Sequence, residues 1–260
     1  MPLVMGVLNV TPDSFYDGGR WQGAGAAVEH GLEMFDQGAD IVDVGGESTR
    51  PGAHPVDEAE EARRVVPVVA ALAGQLPRGR RLSVDTRKPA VAEAALDAGA
   101  CIVNDVSASL WPVAARNGAG WVAMHMRGAP ADMSRYAHYG DVVLEVKSFL
   151  AGRAALAREA GVGEVWVDPG IGFAKSTRHN LELLARLPEL VATGWPVAIG
   201  TSRKRFTGVA GRTECSPAPP EERLEASLAT AVWAMASGAA MVRVHDVKAT
   251  ADAARLVGAS

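Results

Sequence analysis

Apolar and polar positions alternate along this chain on two scales. On the shorter scale, brief apolar runs stop on a polar or chain-reversing residue. Asn9 ends the run from Leu3, Asp43 and Gly45 end the run from Ile41, and Asp85 follows Leu82-Ser83-Val84. Asn104 follows Cys101-Ile102-Val103, His125 follows Trp121–Met124, and Asp168 follows Val165-Trp166-Val167. Thr201 follows Val197–Gly200, and His245 follows Met241–Val244. On the longer scale, helical patterns separate these runs: Gly23–Gln37, Asp57–Leu76, Lys88–Ala98, Leu110–Asn117, Tyr139–Ala160, Asn180–Val191, Pro220–Ser237 and Asp246–Val257. Pro67 interrupts the second of these, which predicts a kink or break there. Strands alternating with helices imply parallel pairing with right-handed crossovers, and eight units close into a (β/α)8 TIM barrel. A doubly wound open sheet fits less well, because no Gly-x-Gly-x-x-Gly follows the first strand.

Closure would bring all eight polar strand ends to one rim, where barrel enzymes carry their active sites. The long loops fall on that side: Val10–Gln22, Gly46–Val56, Met126–His138 and Ser202–Pro219. Long loops in a compact domain are usually functional. The length of 260 residues suits one such barrel, and no linker or low-complexity tract divides residues 1–260.

The charge balance narrows the partners. A formal net charge of −4 gives no electrostatic footprint for nucleic acid, so an anion must be held by a local cationic cluster. The longest apolar stretch, Leu228 to Val242, is interrupted by Thr, Ser and Gly and is too short for a membrane span. Two cysteines make no disulfide framework; Cys101 opens a strand and is expected to be buried, and Cys215 lies in a Pro-rich loop. The chain enters a strand almost at once, without a basic stretch and cleavable apolar segment, so the expected compartment is the reducing cytoplasm.

Two constellations on the predicted rim carry chemistry. Asp85, Asn104, Asp168 and Lys204 offer two carboxylates, an amide and an ammonium, which suit a flat heterocycle rich in donors and acceptors. Each alone could be a cap or a turn former; four together on one rim point to a ligand. The second set, Asn9, Thr49, Arg50, Arg243 and His245, lies at strand ends one, two and eight, which closure makes neighbours. Its cations, hydroxyl and amide suit a phosphate or diphosphate. The plainer alternatives are an ion pair of Arg243 with Asp246 and a helix-capping role for His245.

The sharpest strings are Asn9-Val10-Thr11-Pro12-Asp13-Ser14-Phe15 and Gly45-Gly46-Glu47-Ser48-Thr49-Arg50-Pro51-Gly52. With Asp17-Gly18-Gly19, Ser83–Thr86, Asn104-Asp105-Val106, His125–Gly128, Asp168–Phe173, Ser202-Arg203-Lys204 and Arg243–Asp246, they form an ordered set over essentially the whole chain. That set closely resembles the dihydropteroate synthase family of pterin-binding barrels. The resemblance implies a transferase of folate biosynthesis that joins 6-hydroxymethyl-7,8-dihydropterin diphosphate to 4-aminobenzoate, giving 7,8-dihydropteroate and diphosphate. It implies that Asp85, Asn104, Asp168, Phe173, Gly200, Lys204 and Arg243 contact the pterin. Asn9, Thr49, Arg50, Arg243 and His245 would take the diphosphate, with Asn9 also holding Mg2+. Phe15, Pro51, Ser202 and Arg203 would shape the aminobenzoate site. Asp17 would join Asp85, Lys204 and Arg243 in catalysis, from a mobile first loop.

Some positions stand outside that pattern. Ala174 occupies a place where the family more often has Gly, a mild backbone restriction. Arg205 is expected to be solvent-exposed. His54, His138 and His179 are expected to be surface or capping residues, Trp166, Trp195 and Trp233 to be packing, and His125 has no assigned role. A pterin-dependent methyltransferase would not need Arg50, Arg243 and His245 together. A non-catalytic pterin-binding paralogue would be expected to have lost Asn9, Phe15, Asp17, Thr49 or Arg50. The segments Pro220–Ser237 and Asp246–Val257 are apolar on more than one face, which predicts a homodimer through the last helices.

Overall fold

The structure is a computed structural model that describes residues 1–11, 20–50, 52–209, 212–214 and 216–259. Phe15, Asp17, Pro51 and Cys215 lie outside the described residues. Eight parallel strands alternate with helices: β1 (Leu3–Asn9), β2 (Ile41–Gly45), β3 (Arg81–Asp85), β4 (Ile102–Asp105), β5 (Gly120–Met124), β6 (Val165–Asp168), β7 (Ala198–Ile199) and β8 (Met241–Val244). They run in the order β6-β5-β4-β3-β2-β1-β8-β7. A parallel bridge between Val167 and Val197, with the Val167 amide donating to the Pro196 carbonyl at 2.9 Å, joins the two ends into a barrel.

Side chains alternate along each strand, so every second residue faces the barrel interior. The outward set, including Val4, Leu8, Val42, Val44, Leu82, Val84, Val103 and Trp121, merges with the helices into the main core. The inward set is layered. Met5, Ile41, Ile102, Val122, Trp166, Ala198 and Met241 form an apolar plug at the floor. Above it the inward residues turn polar, and the register sets Asn9 beside Gly45, Gly45 beside Asp85, and Asp85 beside Asn104.

The helices are α1 (Arg20–Asp36), α2 (Glu58–Ala73), α3 (Pro89–Asp97), α4 (Trp111–Arg116), α5 (Val142–Glu159), α6 (Thr177–Ala185), α7 (Leu187–Val191), α8 (Leu224–Ala236) and α9 (Val247–Val257). Four expectations change. First, α2 continues through Pro67 without a break, held by Val65, Val68, Val69 and Leu72 buried along one stripe. Second, the segment expected to start at Asn180 begins at Thr177, capped by Ser176 with His179 reciprocating, and divides at Arg186. Third, Cys101 is exposed, because β4 begins one residue later and leaves Cys101 at the open floor. Fourth, Trp233 is 56% exposed on α8, its indole N–H donating to the Leu184 carbonyl at 3.1 Å. Among the described residues no helix is long and apolar enough to cross a membrane.

Candidate active site

A buried carboxylate must find partners or lose its charge, and the polar layer of the barrel is organised by that requirement. Asp43, fully buried on β2, receives the Arg243 Nε at 2.6 Å and the Asn104 amide at 2.8 Å on the same oxygen, Oδ2. The Arg243 Nη2 reaches the Oδ2 of Asp85 at 2.6 Å. One guanidinium from β8 thus spans two carboxylates from β2 and β3. The alternative pairing of Arg243 with Asp246 does not occur; Arg203 takes Asp246 at 2.6 Å instead.

The compensation is incomplete. Asp43 Oδ1, Ser83 Oγ and Asp85 Oδ1 are buried with no hydrogen-bond partner among the described residues. An unpartnered buried polar atom costs about 1–3 kcal/mol. Three of them in one barrel interior mark a place where a ligand supplies the missing donors. Burial raises the pKa of Asp85 to about 7, although Arg243 opposes the shift. It raises Asp168 too, against the Gly170 amide, which donates to Asp168 Oδ1 at 2.7 Å. Arg243 is held above its usual range, its two carboxylate neighbours outweighing burial.

Asp85, Asn104, Asp168, Lys204, Phe173, Gly200, Ser202, Thr49, Arg243 and His245 line one cleft. Its volume of about 40 Å3 leaves no room for a ring while Arg243 lies across onto Asp43 and Asp85. The Lys204 ammonium rests 3.9 Å from the centre of the Phe173 ring. Burial lowers its pKa to about 8, with Asp168 holding it up. Gly172 permits that placement: its φ is +82°, and a Cβ there would lie 3.1 Å from Lys204 Cδ. Ala174 adopts φ +49°, so the expected restriction is real.

A second hollow of about 840 Å3 lies past the ends of β1 and β8 and between α1 and α9, lined in part by Asn9, His30, Arg203, His245, Asp246 and the first residues of α9. The amides at a helix N-terminus and its dipole favour an anion. His245 accepts or donates through Nδ1 with Ser202 Oγ at 3.0 Å, and its backbone amide donates to the same hydroxyl at 3.1 Å. Burial, and secondarily Arg243, lowers its pKa to about 3, so its imidazole is neutral at pH 7. Arg50 is exposed on its loop and lines neither hollow. Arg205 is exposed as expected, donating to the Glu214 carbonyl at 2.7 Å.

The pterin binding enzyme pattern matches residues 5–245. This chain belongs to the pterin binding enzyme family. Among its relatives, dihydropteroate synthase of Mycobacterium leprae is 49% identical over 98% of this chain and 92% of its own length. The Escherichia coli K12 enzyme of that name is 44% identical over 100% of this chain and 92% of its own. Two solved structures from Xanthomonas albilineans superpose closely. The dihydropteroate synthase with 4-aminobenzoic acid has TM-score 0.89 and 46% identity, covering 99% of this chain and 92% of that one. The one with 7,8-dihydropteroate has TM-score 0.86 and 44% identity, covering 99% and 93%. Within the pterin binding enzymes the chain therefore falls among the dihydropteroate synthases.

Sequence reasoning left three parts of this pterin-binding barrel without a role. Asp43 was noticed only as a strand end; its signal was a carboxylate inside the apolar string Ile41-Val42-Asp43-Val44. His125 is buried and neutral, its pKa lowered to about 3 by burial and then by Lys175. Lys175 explains it: its half-buried amine, the pKa lowered to about 7 by burial, lies 3.1 Å from His125 Nδ1 and donates to the carbonyls of His125 at 3.2 Å and Phe173 at 2.9 Å. His125 thus anchors the loop that presents Phe173. The third part, Glu47 with Lys88, has no signal beyond its place beside two motifs.

Proposed function

We propose that this dihydropteroate synthase-family chain joins the methylene carbon of 6-hydroxymethyl-7,8-dihydropterin diphosphate to the amine of 4-aminobenzoate, releasing diphosphate. The observation that carries the residue assignment is the group of unpartnered buried acceptors, Asp43 Oδ1, Ser83 Oγ and Asp85 Oδ1, beneath a cleft lined by Asn104, Asp168 and Lys204. A pterin presents an amino-pyrimidine edge with several N–H donors, and carboxylates are the acceptors that hold such an edge best. Entry of the ring moves the Arg243 guanidinium off Asp85, so that it stacks on the ring and turns toward the diphosphate. Asp85 is then left to compensate positive charge in the ring.

The chemistry divides between the two hollows. The carbon–oxygen bond to the diphosphate breaks, and the pterin shares the resulting positive charge at the methylene carbon. Arg243, Thr49, Arg50, neutral His245 and the first amides of α9 hold the departing anion. The aminobenzoate nitrogen bonds to that carbon in the site shaped by Ser202, Arg203, Phe15 and Pro51, and its proton leaves with the diphosphate. An arylamine is a weak base and its attack requires no strong general base; His245, which lines the cleft, has its pKa lowered to about 3.

Mg2+ fits as a guest of the diphosphate. Among the described residues no group of three or more His, Cys, Asp or Glu side chains could cage a metal. Asn9 offers an amide oxygen at the hollow's edge with no hydrogen-bond partner among the described residues. Mg2+ commonly takes one or two protein oxygens and completes its shell with phosphates and water; when bound, it would offset charge on the leaving group. We further infer a cytoplasmic homodimer through α8 and α9, supported by the exposed Leu224, Trp233 and Leu256 there.

Diphosphate release is the deciding measurement, made with both substrates and Mg2+, then without aminobenzoate. Release that requires aminobenzoate and yields dihydropteroate is the expected result. Release indifferent to aminobenzoate would end the synthase reading.

A further inference from the structure

The loop from Gly46 to Val56, which carries Thr49 and Arg50, is closed at its base by one side chain from outside it. Lys88, the residue before α3, directs its ammonium to Glu47 Oε2 at 2.5 Å and to the Val56 carbonyl at 2.7 Å. One nitrogen therefore holds the second residue of the loop and its last. It also meets Glu61 of α2, whose carboxylate is almost wholly buried. Glu47 closes the ring of contacts by accepting the Val56 amide at 3.0 Å, and Arg87 binds its other oxygen at 2.9 Å. Arg64 holds the preceding carbonyl, that of Gly46, at 3.0 Å. Further along, the Gly52 amide donates to the Pro130 carbonyl at 2.9 Å, so the far side of the loop rests on the loop after β5.

These contacts are built, not incidental. Gly46 lies so close to α2 that a Cβ would come within 2.8 Å of Val65 and 3.0 Å of Glu61. The ammonium keeps its charge: although burial opposes it, the hydrogen bonds it donates to Glu47 and Glu61 raise its pKa above the ordinary lysine value. Lys88 lines neither hollow of the active site.

We propose that Lys88 is a positioning residue that staples the base of the 46–56 loop, and so sets the place of Thr49 and Arg50 for the diphosphate. The staple stands on the contacts above; what the loop touches rests on the proposed function. Lys88→Met removes the ammonium but leaves Glu47 and Glu61 facing one another. Lys88→Met/Glu61→Gln removes that repulsion and separates loop position from folding.

The first test is hydrogen exchange on the full protein, which requires no activity. In the double variant, amides of 46–56 exchange at least tenfold faster, while those of β3 and β4 keep wild-type protection. The second test is kinetic. The double variant raises KM for the pterin diphosphate tenfold or more, with kcat changed less, while a free pterin lacking the diphosphate binds within twofold of wild type. Lys88→Arg, which keeps the charge, recovers most of the KM. Unchanged exchange across 46–56 in the double variant would overturn the staple. Equal losses in free-pterin binding and in KM for the pterin diphosphate would overturn the positioning role. A wild-type protein that fails to turn over both substrates fails the proposed function alone, and exchange still decides the staple.

Discussion

Replacing Asp85 with Asn should cripple turnover and stabilise the fold at the same time, and both effects follow from the same buried oxygen atoms. The carboxylate is 8% exposed, and burial raises its pKa from 3.8 to about 7. An acid whose folded pKa lies above its unfolded value binds its proton more tightly when folded. Stability is therefore fully retained below about pH 4 and falls as pH rises toward 7. Each pKa unit is about 1.4 kcal/mol, so three units make a penalty of about 4 kcal/mol above pH 7, an upper bound. Asn carries no charge and escapes that penalty, in which the opposing attraction of Arg243 is already included. The expectation at pH 8 is a gain of at most about 4 kcal/mol, or up to roughly 7 °C in Tm. Activity moves the other way. Asn accepts through one atom and offers a donor to a donor-rich ring edge. Losing a charge-assisted bond and leaving a ring N–H unpaired costs roughly 3–4 kcal/mol, a fall of about 10²–10³ in kcat/KM. The assays are diphosphate release and urea unfolding of both proteins at pH 5, 6, 7 and 8. The gap in unfolding free energy should widen in favour of the variant as pH rises. A gap independent of pH, or a kcat/KM within fivefold of wild type, would refute the reasoning.

Lys204 titrates near pH 8 in the free protein, so pterin affinity should decline as pH rises above 8; Lys204→Met should bind at least tenfold more weakly at pH 7 and lose that dependence, as read by calorimetry. Gly170→Ala should destabilise severely, because φ is +66° and the new Cβ would meet the His125 carbonyl oxygen at 2.0 Å; an unchanged melting temperature would contradict this. Light scattering should give the mass of a dimer, and Trp233→Glu, altering a side chain 56% exposed, should shift it toward monomer without lowering the melting temperature of the dilute protein. A wild-type monomer at working concentration would remove the dimer.

Much of the barrel was legible because strand periodicity and rim polarity are local properties. The eight predicted runs coincide with β1–β8 to within a residue or two, and Asp85, Asn104, Asp168 and Lys204 line one cleft as expected. The misses have tertiary causes. Pro67 would break an isolated helix, yet a buried apolar stripe carries α2 through it. Trp233 reads as packing by residue type, but its exposure depends on where α8 lies against α6. His125 ends a strand like the other rim residues, and only Lys175, fifty residues later, turns it into an anchor. No local pattern could reveal that Glu47, Glu61 and Lys88 meet, since they come from three separate elements.

Asp43 shows why the polar layer takes this form. A pterin pocket requires carboxylates held away from water, and two of them facing one barrel interior repel. The solution is to share one cation: Arg243 bridges Asp43 and Asp85 in the free protein, while Asn104 bonds the same Asp43 oxygen. On the proposed function, entry of a ring would leave Asp43 a donor in Asn104, so Arg243 could turn toward the diphosphate without leaving two carboxylates bare. On that proposal the resting ion pair would hold the guanidinium beside the leaving group's place. On this reasoning Asp43→Asn should loosen Arg243 and weaken diphosphate retention more than it weakens binding of a free pterin.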